Sequence, residues 1–245
     1  MNIEISSRNV EVSFRGTHGE DIRRNFIKNA NGTFFVYHAL FKAGTQQGKG
    51  NAKQLFRNSV GAYQILGVNQ IKVSANIDIG GYCWAQFGYI PVNRTAWESL
   101  KYDIKSRLER IQQGGYRVKS NNFRPNTAPP GAPSNEVGIN YIASPYSQTM
   151  ENKIKTLLAS DDPYSIWKLS DLRIGQRNIG KELMIHLGWG GIIDLNNSRQ
   201  MHRMVQYTAG RDALSTYVAQ AETTTATSIP RRRTRRAPAP TQVAT

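Results

Sequence analysis

The 245-residue sequence contains a single cysteine, Cys83, and only four histidines. One cysteine excludes an internal disulfide framework and any zinc site built on several cysteines. The histidines, His18, His38, His186 and His202, are too scattered along the chain to suggest a metal site. No Gly-x-Ser-x-Gly motif is present, so the nucleophile elbow of serine hydrolases is not indicated. We therefore expect no metal centre.

Long apolar runs are also missing, since none reaches the length that a membrane-spanning helix needs. The first residues, MNIEISSRNVEVSF, are interrupted by acidic residues and are followed by no long apolar segment. This pattern is not that of a signal peptide. We expect no membrane partner and no secretion by a signal peptide.

Acidic residues are scarce: 17 stand against 32 lysines and arginines, which gives a net charge of +15 and an isoelectric point near 10.1. Only five of the 32 basic residues belong to the last 26 positions, so the excess is spread over the whole chain. Such a field favours a polyanion as partner, either nucleic acid or an acidic protein surface. The alternative is a basic protein without a specific partner.

The most informative stretch begins with the aromatic-rich run 34–43, which predicts a strand. A glycine loop follows, and then a helix whose apolar stripe is Leu55, Val60, Tyr63 and Leu66. Gly67 predicts the end of this helix, and residues 70–75 predict the next strand.

A glycine loop between a strand and a helix amino terminus forms an anion site, because free N–H groups and the helix dipole favour negative charge. Lys49, Lys53 and Arg57 add positive side chains. We expect a phosphate or a pyrophosphate as the ligand. The spacing fits neither a Walker loop nor a dinucleotide fingerprint. A glycine turn that binds nothing is the alternative.

The loop resembles the acyl-CoA loop of the GCN5-related N-acetyltransferases, the GNAT family, whose motif is Gln/Arg-x-x-Gly-x-Gly/Ala. Gln47, Gly50 and Ala52 fill this motif, with Gly48 and Lys49 as the common Gly-Lys pair. A second block of that family ends in aromatic-x-x-x-Gly-aromatic, and Trp84, Gly88 and Tyr89 match it. The resemblance covers roughly residues 33–92.

This resemblance implies an α+β fold, with a GNAT-like mixed sheet flanked by helices and an acyl-CoA-binding domain at residues 1–113. Acetyl-CoA would be the co-substrate, and main-chain groups of strand 33–43 would line its pantetheine arm. The residues implied to bind its pyrophosphate are Gln47, Gly48, Lys49, Gly50, Asn51 and Ala52. Only 46 residues precede Gln47, fewer than the family usually has, so we expect a reduced acceptor half.

Two residues are the candidates for catalysis. The family often places an acidic tyrosine four residues before the closing glycine, where this chain has Trp84, whose indole N–H is not a practical acid. Its base is commonly a carboxylate on the strand before the loop, where this chain offers only His38. His38 alternates with Val36 and Leu40, so a buried structural histidine is the alternative.

Outside this stretch, residues 3–14 predict one or two strands, and residues 20–30 a short helix. Asn31-Gly32 predicts a turn. Residues 94–113 have the strongest helical pattern of the chain, and Thr95 with Glu98 fits a capping box at its start.

The second half changes character. Residues 114–148 are rich in proline and asparagine and predict a linker or an arm. Residues 149–219 predict a C-terminal helical appendage, within which 187–195 is a packing turn or a second loop near a ligand. Residues 220–245 predict a disordered basic tail. Its arginines would bind phosphates without reading sequence, unless the tail merely adds solubility: Arg231, Arg232, Arg233, Arg235 and Arg236.

Three hypotheses follow. The first is an acyl-CoA-dependent N-acetyltransferase-like protein that acts close to nucleic acid. The second is a non-catalytic GNAT-fold structural or assembly protein, such as a phage virion component, which binds nucleic acid or protein through the basic tail. The third is an enzyme that modifies DNA bases from an acyl-CoA donor. The loop favours the first and third, whereas the missing tyrosine and carboxylate favour the second. The expected location is cytoplasmic or virion-associated.

Overall fold

The computed structural model describes residues 1–17, 19–43, 51–75, 80–114, 116–118 and 141–209. They form an α+β fold in which helices flank a seven-stranded mixed sheet. In chain order the elements are β1 Asn2–Ile5, β2 Asn9–Arg15, β3 Glu20–Lys28, β4 Phe34–Ala43, α1 Asn51–Ile65, β5 Val68–Ala75, α2 Gly80–Gln86, β6 Ile90–Pro91, α3 Arg94–Gln112, β7 Tyr116–Val118, β8 Tyr141–Ala143, α4 Gln148–Ala159, α5 Ser165–Ser170, β9 Arg173–Ile174, β10 Arg177–Asn178, α6 Ile179–Met184, β11 Trp189–Asp194 and α7 Ser198–Ala209.

The main sheet has the strand order β1-β2-β3-β4-β5-β11-β6. β4 and β5 run parallel, and the other neighbouring pairs of this described sheet are antiparallel. Two small antiparallel pairs, β9 with β10 and β7 with β8, lie outside it. β7 and β8 both belong to the predicted linker 114–148, so its described residues include a short antiparallel pair of strands.

The predicted strands at residues 3–14 are confirmed as β1 and β2, but the helix predicted for residues 20–30 is wrong. This segment is β3, which pairs with β2 on one side and with β4 on the other. Ile22, Phe26 and Ile27 fit a short helical stripe about as well as a strand, and the two neighbouring strands decide between them. The predicted turn is confirmed, because Gly32 has a φ of +84° and its amide donates to the Asn29 carbonyl.

The helix predicted after the glycine-rich segment is α1, but only half of its predicted apolar stripe is buried. Val60 and Tyr63 are buried together with Phe56, whereas Leu55 is exposed, as is Leu66 just beyond the end of α1. α3 buries its whole predicted stripe: Trp97, Leu100, Ile104, Leu108 and Ile111. The capping box is wrong, since Asn93 caps α3 and its Oδ1 accepts from the Ala96 amide at 2.8 Å.

The helical appendage predicted for residues 149–219 needs a correction. β11 lies inside the main sheet, between β5 and β6, so residues 187–195 are neither a packing turn nor a ligand loop. Gly190 and Gly191 suggested a turn, but Gly191 lies within the strand at a place where a side chain would not fit. A Cβ on Gly191 would lie 2.8 Å from the Trp189 ring and 2.9 Å from the Val73 side chain.

A single hydrophobic core joins both halves of the described chain. It contains Val36 and Ile71 of the sheet together with Ile154, Ile166 and Leu183 of the segment that was predicted to stand apart. A buried polar contact reinforces this union. The Gln200 side chain of α7 donates to the carbonyls of Gly88 and Ile192 and accepts from the Asp194 amide.

A comparison of two glycines with positive φ, Gly67 and Gly88, measures how much the close packing at Gly88 contributes to stability. Gly67 has a φ of +71° and open space where a Cβ would lie, whereas Gly88 has a φ of +96° and only 2.8 Å to the Gln200 carbonyl oxygen. Gly67→Ala should lower the free energy of unfolding by about 1 kcal/mol through backbone strain alone. Gly88→Ala should lower it by roughly 1–3 kcal/mol more, because its methyl group also overpacks. Urea denaturation measures both, and equal losses would contradict the packing at Gly88.

Candidate functional site

The strand–loop–helix segment lies partly within the described residues. β4 ends at Ala43 and α1 begins at Asn51, while the predicted ligands at 47–50 lie outside that part of the chain. Asn51 and Ala52 are therefore the first residues of α1, at the end of the helix whose free N–H groups attract anions. The first turn of α1 contains no acidic residue that would oppose such binding.

β4 and β5 separate before β4 ends. Their parallel pairing ends where His38 lies beside Val73. β4 then continues to Ala43, whereas the last residues of β5, Ser74 and Ala75, pair with β11 on the other side. The edge of β4 that faces β5 therefore has main-chain groups beyond His38 that the described ladder does not use.

A β-bulge interrupts β4 at the same place. His38 lies opposite Arg24 and Leu40 lies opposite Arg23, so Ala39 is an extra residue without a partner on β3. At this bulge the Leu40 carbonyl accepts a hydrogen bond from Arg24 Nη1 at 2.7 Å.

His38, at the bulge, belongs to a buried polar network with Tyr63 and Arg24. Its Nε2 lies 3.0 Å from the Tyr63 hydroxyl, which also accepts from Arg24 Nε at 3.1 Å. Burial holds the pKa of His38 well below its usual range, and the neighbouring Arg24 cation lowers it further. The imidazole is therefore neutral at pH 7. Burial also lowers the pKa of Arg24 and raises that of Tyr63.

The structure brings the two predicted catalytic residues together. The ring centroids of His38 and Trp84 are 6.1 Å apart, within an aromatic cluster that includes Phe56 and Tyr89. His38 is buried and Trp84 is half-buried. This cluster fills the space between β4, α1 and α2, so both side chains contribute to packing.

Two polar atoms in or beside this cluster have no hydrogen-bond partner among the described residues: His38 Nδ1 and the Tyr89 hydroxyl. Burial raises the pKa of Tyr89 well above its usual range, so the hydroxyl keeps its proton. Buried polar atoms normally find a partner, because leaving them unpaired costs free energy. Both are therefore available to a polar group of a ligand, to water, or to a residue outside the described ranges.

Other candidates for chemistry are not supported at this site. Burial raises the pKa of the Cys83 thiol to about 11, so this cysteine is not a thiolate nucleophile at neutral pH. Within the described ranges, no group of three or more His, Cys, Asp or Glu side chains could hold a metal ion. None of the described helices is both long and apolar enough to cross a bilayer.

The positive residues predicted to add charge to the loop differ in their contacts and exposure. The Lys53 ammonium lies 3.9 Å from the centre of the Tyr207 ring, so it is engaged by α7, while Arg57 is exposed. Lys49 and the tail arginines 231–236 lie outside the described residues.

Sequence reasoning missed three members of the buried site. Arg24 was given no role within a segment that was wrongly predicted as a helix, and Tyr63 was counted only as part of an apolar stripe. Tyr89 was noted only as the aromatic that closes a motif. A signal was available for Tyr63, since a buried tyrosine usually needs a partner for its hydroxyl.

Removing the Tyr63 hydroxyl tests the network. Tyr63→Phe leaves Arg24 Nε and His38 Nε2 buried without this partner, so the free energy of unfolding should fall by about 2–4 kcal/mol. Tyr102→Phe is the matched control, because Tyr102 is 73% exposed and should change stability by less than about 0.5 kcal/mol. Chemical denaturation of both variants would refute the network if the losses were the same.

The lowered pKa of His38 predicts a pH dependence of stability. Below the unfolded-state value of about 6.5, the unfolded chain binds a proton that the folded protein does not bind, so stability falls as pH falls. The contribution is complete above that pH and is lost by up to about 1.4 kcal/mol per pH unit below it. The wild-type protein should therefore lose more stability than His38→Gln between pH 7 and pH 5. Parallel slopes in urea titrations would show that His38 titrates normally.

In comparisons with known protein families, with curated proteins and with solved structures, nothing matches this chain.

Proposed function

We propose that this protein is an acyl-CoA-dependent N-acetyltransferase-like protein that acts close to nucleic acid, with acetyl-CoA as its co-substrate. The observation that carries the proposal is the separation of β4 from β5 beyond His38, on the strand that comes before residues 44–50 and α1 in the chain. This arrangement supports a GNAT-like organisation, with a place for a long, thin ligand that has an anionic end.

The residues divide between two parts of such a ligand. The pyrophosphate would lie at residues 47–52, where loop amides and the amino terminus of α1 offer donors. The pantetheine arm carries amide groups, which suit the unpaired main-chain edge of β4 beyond His38. The Leu40 carbonyl is already used by Arg24, so other main-chain groups of β4 beyond His38 would serve.

The bulge supplies a candidate donor for the reacting end. In N-acetyl transfer an amine attacks the thioester carbonyl, a C–N bond forms, the C–S bond breaks, and a proton passes from the amine to the thiolate. Negative charge develops on the carbonyl oxygen, and a fixed main-chain N–H stabilises it. Ala39 has no partner on β3, which makes its amide the candidate for this role.

None of the three described side chains His38, Trp84 and Tyr89 is well suited to transfer this proton. His38 is neutral and could accept a proton, but its Nε2 is engaged by Tyr63 and its pKa is lowered. Trp84 has no proton acidic enough to give to a thiolate. Tyr89 keeps its proton, but the same burial makes it a poor acid.

These observations favour a second candidate function, a non-catalytic GNAT-fold structural or assembly protein, for example a phage virion component. It would bind nucleic acid or protein through the arginines at 231–236 and the general positive charge of +15. The buried His38–Tyr63–Arg24 network would then stabilise the fold and take no part in chemistry.

Calorimetric titration with acetyl-CoA tests the acyl-CoA site that the first proposal requires. The wild-type protein should bind with micromolar affinity, and Gly50→Trp should abolish binding, because an indole would fill the loop. Gly61→Trp is the matched control: Gly61 is exposed on α1 with no atom near its Cβ position, so binding should persist. Absence of binding at millimolar acetyl-CoA would refute an acyl-CoA site.

A second measurement separates the two functions. Thiol release from acetyl-CoA is followed with proteins, polyamines and DNA as acceptors, the last because modification of DNA bases remains a candidate reaction. Turnover with any acceptor supports the enzyme. Absence of turnover with every acceptor supports the structural protein.

A further inference from the structure

A surface cavity of about 440 Å³ lies between α5 and α7, and none of its lining residues belongs to β4 or α1. Its volume is in the range of small-ligand sites. Its wall combines cations, aromatic rings and one carboxylate: Tyr164, Trp167, Lys168, Asp171, Arg199 and Arg203. We call this cavity the α5–α7 pocket.

Arg199 presents a flat, positively charged surface in this pocket. Its guanidinium carbon lies 3.9 Å from the centre of the Tyr164 ring, so the ring supports the group from one side. The Arg199 side chain is 53% exposed, and its nearest carboxylate, Asp162, is 3.8 Å away. Within the described chain it makes no hydrogen bond that would occupy its donors. Its N–H groups are therefore available to an anion.

The ring behind Arg199 is fixed in place. The Tyr164 hydroxyl accepts from the Asn197 side chain at 2.9 Å, and the Tyr164 and Trp167 rings pack edge to face at 4.8 Å. The Trp167 indole donates to the Tyr89 carbonyl at 2.9 Å. The guanidinium therefore rests on a rigid aromatic support.

Arg203 also lines the pocket, one turn further along α7, and is already neutralised. It donates to both oxygens of Asp171, at 2.8 and 2.6 Å. Its Nε is buried and lacks a partner among the described residues. Arg199 is paired with Asp162 only at the long distance of 3.8 Å, and Lys168 is exposed and makes no ion pair in the described part of the chain, so these two residues leave positive charge for a ligand.

We propose that the α5–α7 pocket binds one nucleotide unit of a single-stranded nucleic acid. The base stacks on the outer face of the Arg199 guanidinium, and the phosphate contacts Lys168 and the edge of Arg199. Guanidinium planes stack on unpaired bases, and lysine and arginine neutralise phosphates. This site rests on the proposed proximity to nucleic acid and is independent of acyl transfer.

The stacked arrangement selects among anionic partners. A duplex keeps its bases inside the helix, where a surface guanidinium cannot stack on them. A carboxylate of an acidic peptide would pair with the cations but would leave the flat face of Arg199 unused. The net charge of +15 adds a general attraction for the polynucleotide chain.

Fluorescence anisotropy with a labelled oligothymidine tests the proposal in the full chain. Arg199→Ala/Lys168→Ala should weaken binding at least roughly tenfold at physiological salt and lower the slope of log K against log salt by about 0.7, because the pocket neutralises one phosphate. The control Arg94→Ala/Lys105→Ala removes the same charge from exposed positions of α3 and should leave the slope unchanged. Equal effects of the two double variants would overturn the proposal.

Two further arms separate stacking from charge. Arg199→Lys keeps the charge but loses the plane, so it should keep the salt slope and still weaken binding. Wild-type affinity in this variant would overturn the stacked base. A labelled duplex should bind more weakly than the single strand, and thymidine monophosphate should compete only weakly. A duplex bound as tightly as the single strand, or a mononucleotide that competes as well as the oligomer, would overturn a single-strand site.

Acetyl-CoA titration of Arg199→Ala/Lys168→Ala distinguishes this proposal from the proposed function. The variant should bind acetyl-CoA like the wild-type protein. If oligothymidine binding is lost and acetyl-CoA binding is kept, the pocket is supported whatever the loop does. If acetyl-CoA binding is lost together with oligothymidine binding, the pocket is not a separate site and the proposal fails.

Discussion

The parallel pairing of β4 with β5 is the constraint from which the rest of the structure follows. Antiparallel neighbours can be joined by a tight turn, but parallel neighbours need a crossover that carries the chain back along the sheet. Here α1 is within that crossover, so its apolar side must pack against the sheet, and Phe56, Val60 and Tyr63 enter the core. The same geometry puts the glycine loop directly after β4 and the first turn of α1 directly after the loop. In open sheets, the carboxyl ends of strands are where ligands commonly bind.

The elements that could be predicted are those whose signals are local. α1 and α3 have helical apolar spacing, and Gly67 and Asn93 mark an end and a start within a few residues of the pattern. β3 and β11 could not be predicted in this way, because each forms a strand only through pairing with the strands on either side of it. β11 in particular is flanked by β5 and β6, which are distant in sequence, and its two glycines look like a turn until the Trp189 ring is placed over Gly191.

The same distinction applies to the candidate site. His38 and Trp84 could be chosen from a motif, and they do lie together. Arg24 and Tyr63 could not, because their contact depends on β3 lying next to β4 and on α1 covering both. An arginine in such a position is stabilised only when its donors are paired. The Tyr63 hydroxyl and the carbonyls of Arg23 and Leu40 provide this pairing, which also fixes the bulge at Ala39.

The position of β11 has a consequence for biosynthesis. Trp189 pairs with Ala75 and Gly191 pairs with Pro91, so the central sheet acquires its sixth and seventh strands only after the chain has been made through Asp194. Until then the ribosome holds a nascent chain in which β5 is an open edge beside uncovered apolar side chains. Such edges pair readily with other chains, and contacts between distant residues form slowly. A messenger RNA truncated before β11 would therefore yield a product prone to aggregation, and the cell's chaperones would meet this protein mainly in that interval.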